Sequence, residues 1–140
     1  MDQSLKAALS LQLTPGVGPK TFGSLVRAFG SAEAVWRAAS ADLAEVSGVG
    51  PKLVEQLRMA RDGHLAEAEL AWCGANGVRV IAGGHPAYPE SLSRIIDPPA
   101  ILFSQGDLIP QDQLAIAVIG SRQCTLYGRQ QAERLAAGLA

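Results

Sequence analysis

Ala115-Ile116-Ala117-Val118-Ile119-Gly120-Ser121-Arg122 is the run on which the reading of this chain turns. Five apolar residues in succession, rich in Val and Ile, predict a strand buried on both faces. Gly120 breaks the run and Ser121 to Thr125 form a short connection. Leu126, Ala132, Leu135, Ala136 and Leu139 then fall on one side of a helix. Thr125 is placed to cap that helix, its hydroxyl accepting an orphan backbone N–H. Strand, glycine turn and helix make the first half of a βαβ crossover. Open α/β sheets bind ligands off the carboxyl ends of such strands.

The chemistry at that lip suits an anionic, phosphate-bearing ligand. Gly120 lets a ligand approach the backbone, the helix N-terminus offers free N–H groups, and Arg122 adds a planar fork that matches phosphate oxygens. The plainer alternative is a turn glycine beside a solvated arginine, and so short a match leaves both open. The dinucleotide fingerprint Gly-x-Gly-x-x-Gly is absent, which disfavours nicotinamide and flavin, and no cofactor is expected.

A chain of 140 residues accommodates one compact domain or two very small ones. The net charge of −1 provides no global basic field, so contact with nucleic acid must come from local patches or backbone amides. Cys73 and Cys124 stand far apart without a Cys-x-x-Cys spacing, which argues against a disulfide framework or a zinc site and fits a reducing cytoplasm. No apolar run approaches the roughly 18 residues of a membrane span. The amino end lacks the order of a signal peptide. One strand and one helix cannot bury both faces of a parallel sheet, so the chain is expected to be the front part of a longer protein.

Residues 3–12 predict a short amphipathic helix through Leu5, Ala8, Leu9 and Leu11. The strongest internal signal follows. Gly16-Val17-Gly18-Pro19-Lys20 returns as Gly48-Val49-Gly50-Pro51-Lys52, a constant offset of 32 positions. Each copy resembles a helix-hairpin-helix motif. The glycines supply the hairpin's backbone angles, the valine plugs the space between two helices, and the proline occupies the first position of the second helix. Free amides around Gly16, Gly18 and Lys20, and around Gly48, Gly50 and Lys52, could then hold a DNA phosphate without reading sequence. Tandem hairpins equally serve as a compact fold or a partner-docking surface, and Glu33, Asp42, Glu45 and Glu55 oppose the two lysines.

Phe22, Leu25, Val26 and Phe29 form one apolar face ended by Gly30. Ser31 and Ser40 are placed to cap short helices bearing Val35–Trp36 and Leu43. Residues 1–62 thus predict a small all-helical domain, and 63–140 the beginning of a second. The second starts with a helix over 64–75, in which Trp72 is expected in the core and the lone His64 at the surface. Asn76-Gly77 ends it. Short strands are expected at Val78–Ile81 and Ala100–Phe103, separated by a proline-rich passage with one helical turn near Ser91–Ile95. Tyr88 is expected to pack against the sheet edge, the alternative being that it stacks a base.

Taken in order, Tyr88-Pro89 with Leu92, Asp97-Pro98-Pro99 with Leu102-Phe103 and Gly106, Val118-Ile119-Gly120-Ser121-Arg122 and Tyr127-Gly128 resemble the DNA-processing protein A family, also called Smf. The tandem hairpins fit as well, since many members carry a small sterile-alpha-motif-like helical domain in front. The resemblance implies an α/β fold class: that helical domain followed by the start of an extended Rossmann-like domain. It implies a non-catalytic role in natural transformation, binding incoming single-stranded DNA, protecting it and helping to load a RecA-type recombinase. It assigns Gly120, Ser121 and Arg122 to phosphate contacts and transfers none to Gln123–Thr125. It also implies a homodimer formed through later parts of the Rossmann-like domain. Two alternatives stand beside it: a Rossmann-like enzyme hydrolysing nucleoside monophosphates, and a front domain that docks protein.

Overall fold

A computed structural model describes residues 3–61, 64–107, 109 and 116–139. They form helices α1 (Gln3–Leu13), α2 (Pro19–Phe29), α3 (Ala32–Arg37), α4 (Ser40–Ala44), α5 (Pro51–Ala60) and α6 (Leu65–Ala75), then strand β1 (Arg79–Ala82), helix α7 (Glu90–Ser93), strand β2 (Ile101–Ser104) and helix α8 (Leu126–Leu139). The chain divides into two compact units, Met1–Leu108 and Ile109–Ala140.

The sequence repeat is a structural repeat. Leu11, Val17 and Leu25 are buried together with Leu43, Val49 and Leu57, their counterparts 32 residues on, in one core that Ala32 and Val35 complete. The turn hydrogen bonds repeat too. Val17 N–H donates to the Thr14 carbonyl at 3.0 Å and Val49 N–H to the Val46 carbonyl at 2.9 Å. Neither half could bury its apolar face alone. Back to back, the halves form one core, with α3 as the connector.

Local chemistry punctuates the helices as expected. Gly30, at φ 89°, closes α2 with its N–H on the Val26 carbonyl. The Ser31 hydroxyl accepts the Ala34 N–H at 3.2 Å and starts α3. Ser40, by contrast, is the first residue of α4, whose cap position falls to Ala39 and carries no side-chain bond. At the end of α6, Val78 N–H reaches back to the Cys73 carbonyl across Gly77, which sits at φ 66°.

The first unit has a second, smaller core. Leu9, on the side of α1 away from the hairpins, packs with Ala66 of α6 and Ile101 of β2. β1 and β2 pair antiparallel, with Val80 opposite Phe103 and Ala82 opposite Ile101. Residues 62 and 63, where the boundary between domains is expected, lie outside the described residues. The α6 helix that follows packs on α1.

Two further expectations are overturned. Trp72 is 57% exposed, because α6 buries the face through Ala66 and Cys73 and Trp72 lies about a quarter-turn off it. In the second unit, residues 116–120 belong to no strand. Ile116, Val118 and Ile119 are 67%, 50% and 93% exposed. A strand buried on both faces needs hydrogen-bonded neighbours and covering helices, and among the described residues the only sheet is the β1–β2 pair. Ala115 lies outside the described residues. Helix α8 does form where expected, with Gly128 N–H on the Thr125 hydroxyl at 3.2 Å.

Candidate nucleic-acid interface

The two hairpin tips have one geometry. Gly16 and Gly48 stand at φ 92° and 88°, a left-handed conformation that any side chain would strain. Gly18 and Gly50 follow in extended conformation as caps of α2 and α5, with Pro19 and Pro51 opening the helices. Val17 and Val49 point into the shared core, so the flanking glycines and lysines are turned outward and exposed. A Cβ at Gly18 or Gly50 would meet nothing within 4 Å, which leaves both tips open to a ligand. Among the described residues, the N–H groups of Gly16, Gly18 and Lys20, and of Gly48, Gly50 and Lys52, donate to no backbone carbonyl outside the helices. Open amides at two helix N-termini suit oxyanions in kind.

Gly120, Ser121 and Arg122 belong to the second unit. All three are exposed, and a Cβ at Gly120 would meet nothing within 4 Å. The Ser121 hydroxyl is engaged locally, accepting from the Gln123 N–H and reaching its carbonyl, each at 3.2 Å. That small turn leads through Thr125 into α8. Arg122 enters no ion pair among the described residues.

One feature escaped the sequence reading. A cleft of about 660 Å³ opens between α2 and the segment from Gly83 to Ala100, with Lys20 and Arg27 on the helical wall and Pro98 and Pro99 opposite. Tyr88 is buried at its edge and its hydroxyl donates to the Pro99 carbonyl at 2.7 Å, which braces the proline wall. Burial pushes the Tyr88 phenol above its ordinary value. The signal available in the sequence was the seven-residue spacing of Lys20 and Arg27 on one helix face.

No cluster of metal-ligating residues occurs among the described residues. Nor is any described helix long and apolar enough to cross a membrane.

Comparison with known proteins matches the chain in two segments. Residues 8–61 match the SAM-like helix-hairpin-helix tandem, and residues 79–140 match DNA recombination-mediator protein A. Protein Smf of Synechocystis is 26% identical over 128 residues, covering 89% of this chain and 32% of that protein. DNA processing protein DprA of Bacillus subtilis is 37% identical over 67 residues, 47% of this chain and 23% of the relative. DprA of Streptococcus pneumoniae is 40% identical over 52 residues, 37% and 18% of the two chains. The chain thus spans about a third or less of the length of these relatives. No solved structure gives a significant match. With both segments matched in order along one chain, this protein belongs to the DNA recombination-mediator protein A family, the family of DprA and Smf.

Proposed function

We propose that the chain serves DNA processing in natural transformation as a sequence-independent binder of single-stranded DNA that protects the strand and helps to load a RecA-type recombinase. It works in the cytoplasm, makes and breaks no covalent bond, and forms the front of a Rossmann-like domain that dimerises. Membership of a recombination-mediator family carries the reading. The exposed Gly120-Ser121-Arg122 turn supports it, since a guanidinium with no carboxylate partner among the described residues, ahead of a helix N-terminus, suits a phosphodiester. Such contacts hold the backbone and leave the bases unread, which suits a protein that must accept any incoming sequence.

The test is Arg122→Ala in the full-length protein, with affinity measured by fluorescence anisotropy on unrelated single strands across a salt series. Loss of a charge-assisted contact of about 1.5–3 kcal/mol should weaken all sequences alike by roughly tenfold or more. The log–log salt slope should shrink by about 0.7. Wild-type affinity in the variant removes Arg122 from the interface. Release of a base or phosphate from nucleoside monophosphates by the wild type would replace the reading with an enzymatic one.

A further inference from the structure

We propose that the strand reaches the helical domain at the first hairpin and not the second, and runs along α2 with phosphates on Lys20 and Arg27 and a nucleoside in the cleft against Phe22 and Pro98–Pro99. This rests on the single-strand reading above and deepens it by choosing between two hairpins of the same geometry.

The repeat supplies the comparison. Lys20, Gly23, Ser24 and Arg27 line the cleft from α2. Their counterparts 32 residues on are Lys52, Glu55, Gln56 and Met59, and Val26, which also lines the cleft, answers to Arg58. The first copy therefore carries two cations and no carboxylate, with small residues between them, whereas the second carries Lys52 and Arg58 together with the Glu55 carboxylate and an apolar chain. Glu55 pairs with the Arg58 guanidinium at 2.8 Å, which holds its carboxyl below the ordinary value, so one of the second copy's two cations is already matched by a carboxylate. Two helices of one fold thus present different chemistry on equivalent faces.

Lys20 and Arg27 are two turns apart, about 10 Å along the helix axis. Neither enters an ion pair among the described residues, although Asp42 and Glu45 line a groove beyond Arg27. Between them Gly23 leaves room, since a Cβ there would meet nothing within 4 Å. The cleft, at about 660 Å³, is of a size that holds small ligands, and its proline wall is held in place through Tyr88. Asp97 stands on that far wall and repels phosphate, which fixes the backbone to α2 and turns the nucleoside inward. Pro19 and Lys20 form both the hairpin tip and the mouth of the cleft, so amides, lysine and arginine make one continuous track.

The experiment uses the full-length protein and a fluorescein-labelled homothymidine strand, titrated at several salt concentrations beside the Arg122→Ala variant. Lys20→Ala with Arg27→Ala should lower affinity about tenfold or more and reduce the salt slope by about 1.4, two phosphates at 0.7 each. Lys52→Ala should lose less than Lys20→Ala. Gly23→Leu fills the cleft with a better helix former, so it should weaken binding while the melting temperature holds or rises. Wild-type affinity in the double variant and in Gly23→Leu, with Arg122→Ala still defective, would overturn the cleft and leave the single-strand reading standing. A larger loss in Lys52→Ala would overturn the choice of hairpin. Absence of binding by the wild type would take down both.

Discussion

Gln12 grips Ile101 with both ends of its side-chain amide: Nε2 donates to the Ile101 carbonyl at 3.2 Å and Oε1 accepts the Ile101 N–H at 2.9 Å. A helical side chain thus mimics a neighbouring strand and satisfies the edge of β2, tying the β1–β2 pair to α1. Leu9, also on α1, packs with Ile101 in the second core.

Gln12→Ala should therefore cost about 1–3 kcal/mol, because both partners on Ile101 lose their bonds in a half-buried setting. Gln12→Glu keeps an acceptor for the N–H but sets a carboxylate against the carbonyl. It should be destabilised at neutral pH and recover part of that loss in acid, where a proton restores the donor. Urea unfolding at two pH values checks both, and Ile101 amide exchange should accelerate in each variant. Wild-type stability in Gln12→Ala would show that water replaces the amide at no cost.

The hairpin glycines make a graded test. Gly16→Ala and Gly48→Ala both force a side chain into positive φ, costing about 1–2 kcal/mol each. Gly16→Ala should cost more, because its Cβ would meet Leu53 Cδ1 at 3.3 Å whereas that of Gly48 would meet nothing within 4 Å. Gly23→Ala, inside α2 with open space around it, should instead stabilise by about 0.5–1 kcal/mol. Urea midpoints rank the three, and equal losses at Gly16 and Gly23 would refute the backbone argument.

These features were legible from sequence where short-range chemistry decides them. Gly30, Ser31, Thr125 and the repeated Gly-Val-Gly-Pro-Lys each act on backbone groups within a turn of themselves. Burial that depends on a distant partner was not legible. Leu9 and Leu11 lie about 200° apart around α1, so the helix expected to have one apolar face has two, one for each core. Trp72 has the composition of a core residue and the wrong azimuth. The 116–119 run has the composition of a central strand, but no described strand pairs with it. Arg27 carried no signal on its own, because its cleft is completed only by residues 83–100.

The two cysteines should separate by reactivity. Cys124 is exposed, whereas Cys73 is buried in α6 and its thiol is raised above the ordinary value by burial, with the Glu69 carboxylate adding to the effect. In a thiol-exchange assay near neutral pH, one equivalent should react promptly and the second only as the protein opens. Cys124→Ser should abolish the prompt phase and leave the slow one, and denaturant should merge the two. A prompt reaction in Cys124→Ser would mean that α6 opens readily from the first unit.

Glu67 joins α6 to α1 through Lys6 Nζ at 2.9 Å and lies 3.0 Å from His64 Nδ1. Its carboxyl is held below the ordinary 4.5, first by the hydrogen bond from Lys6, then by that from His64, with the charges of both adding. A folded value below the unfolded one means the contact favours folding above the unfolded value, and that this contribution fades as pH falls through the lowered one. The pair is half exposed and screened by solvent, so a carboxyl NMR titration is a better readout than denaturation. Lys6→Met should raise the Glu67 midpoint, and His64→Ala should raise it less, in the order of the two causes. A midpoint unmoved by Lys6→Met would mean that the Lys6–Glu67 contact does not form, leaving α1 and α6 joined by the apolar packing around Leu9 and Ala66.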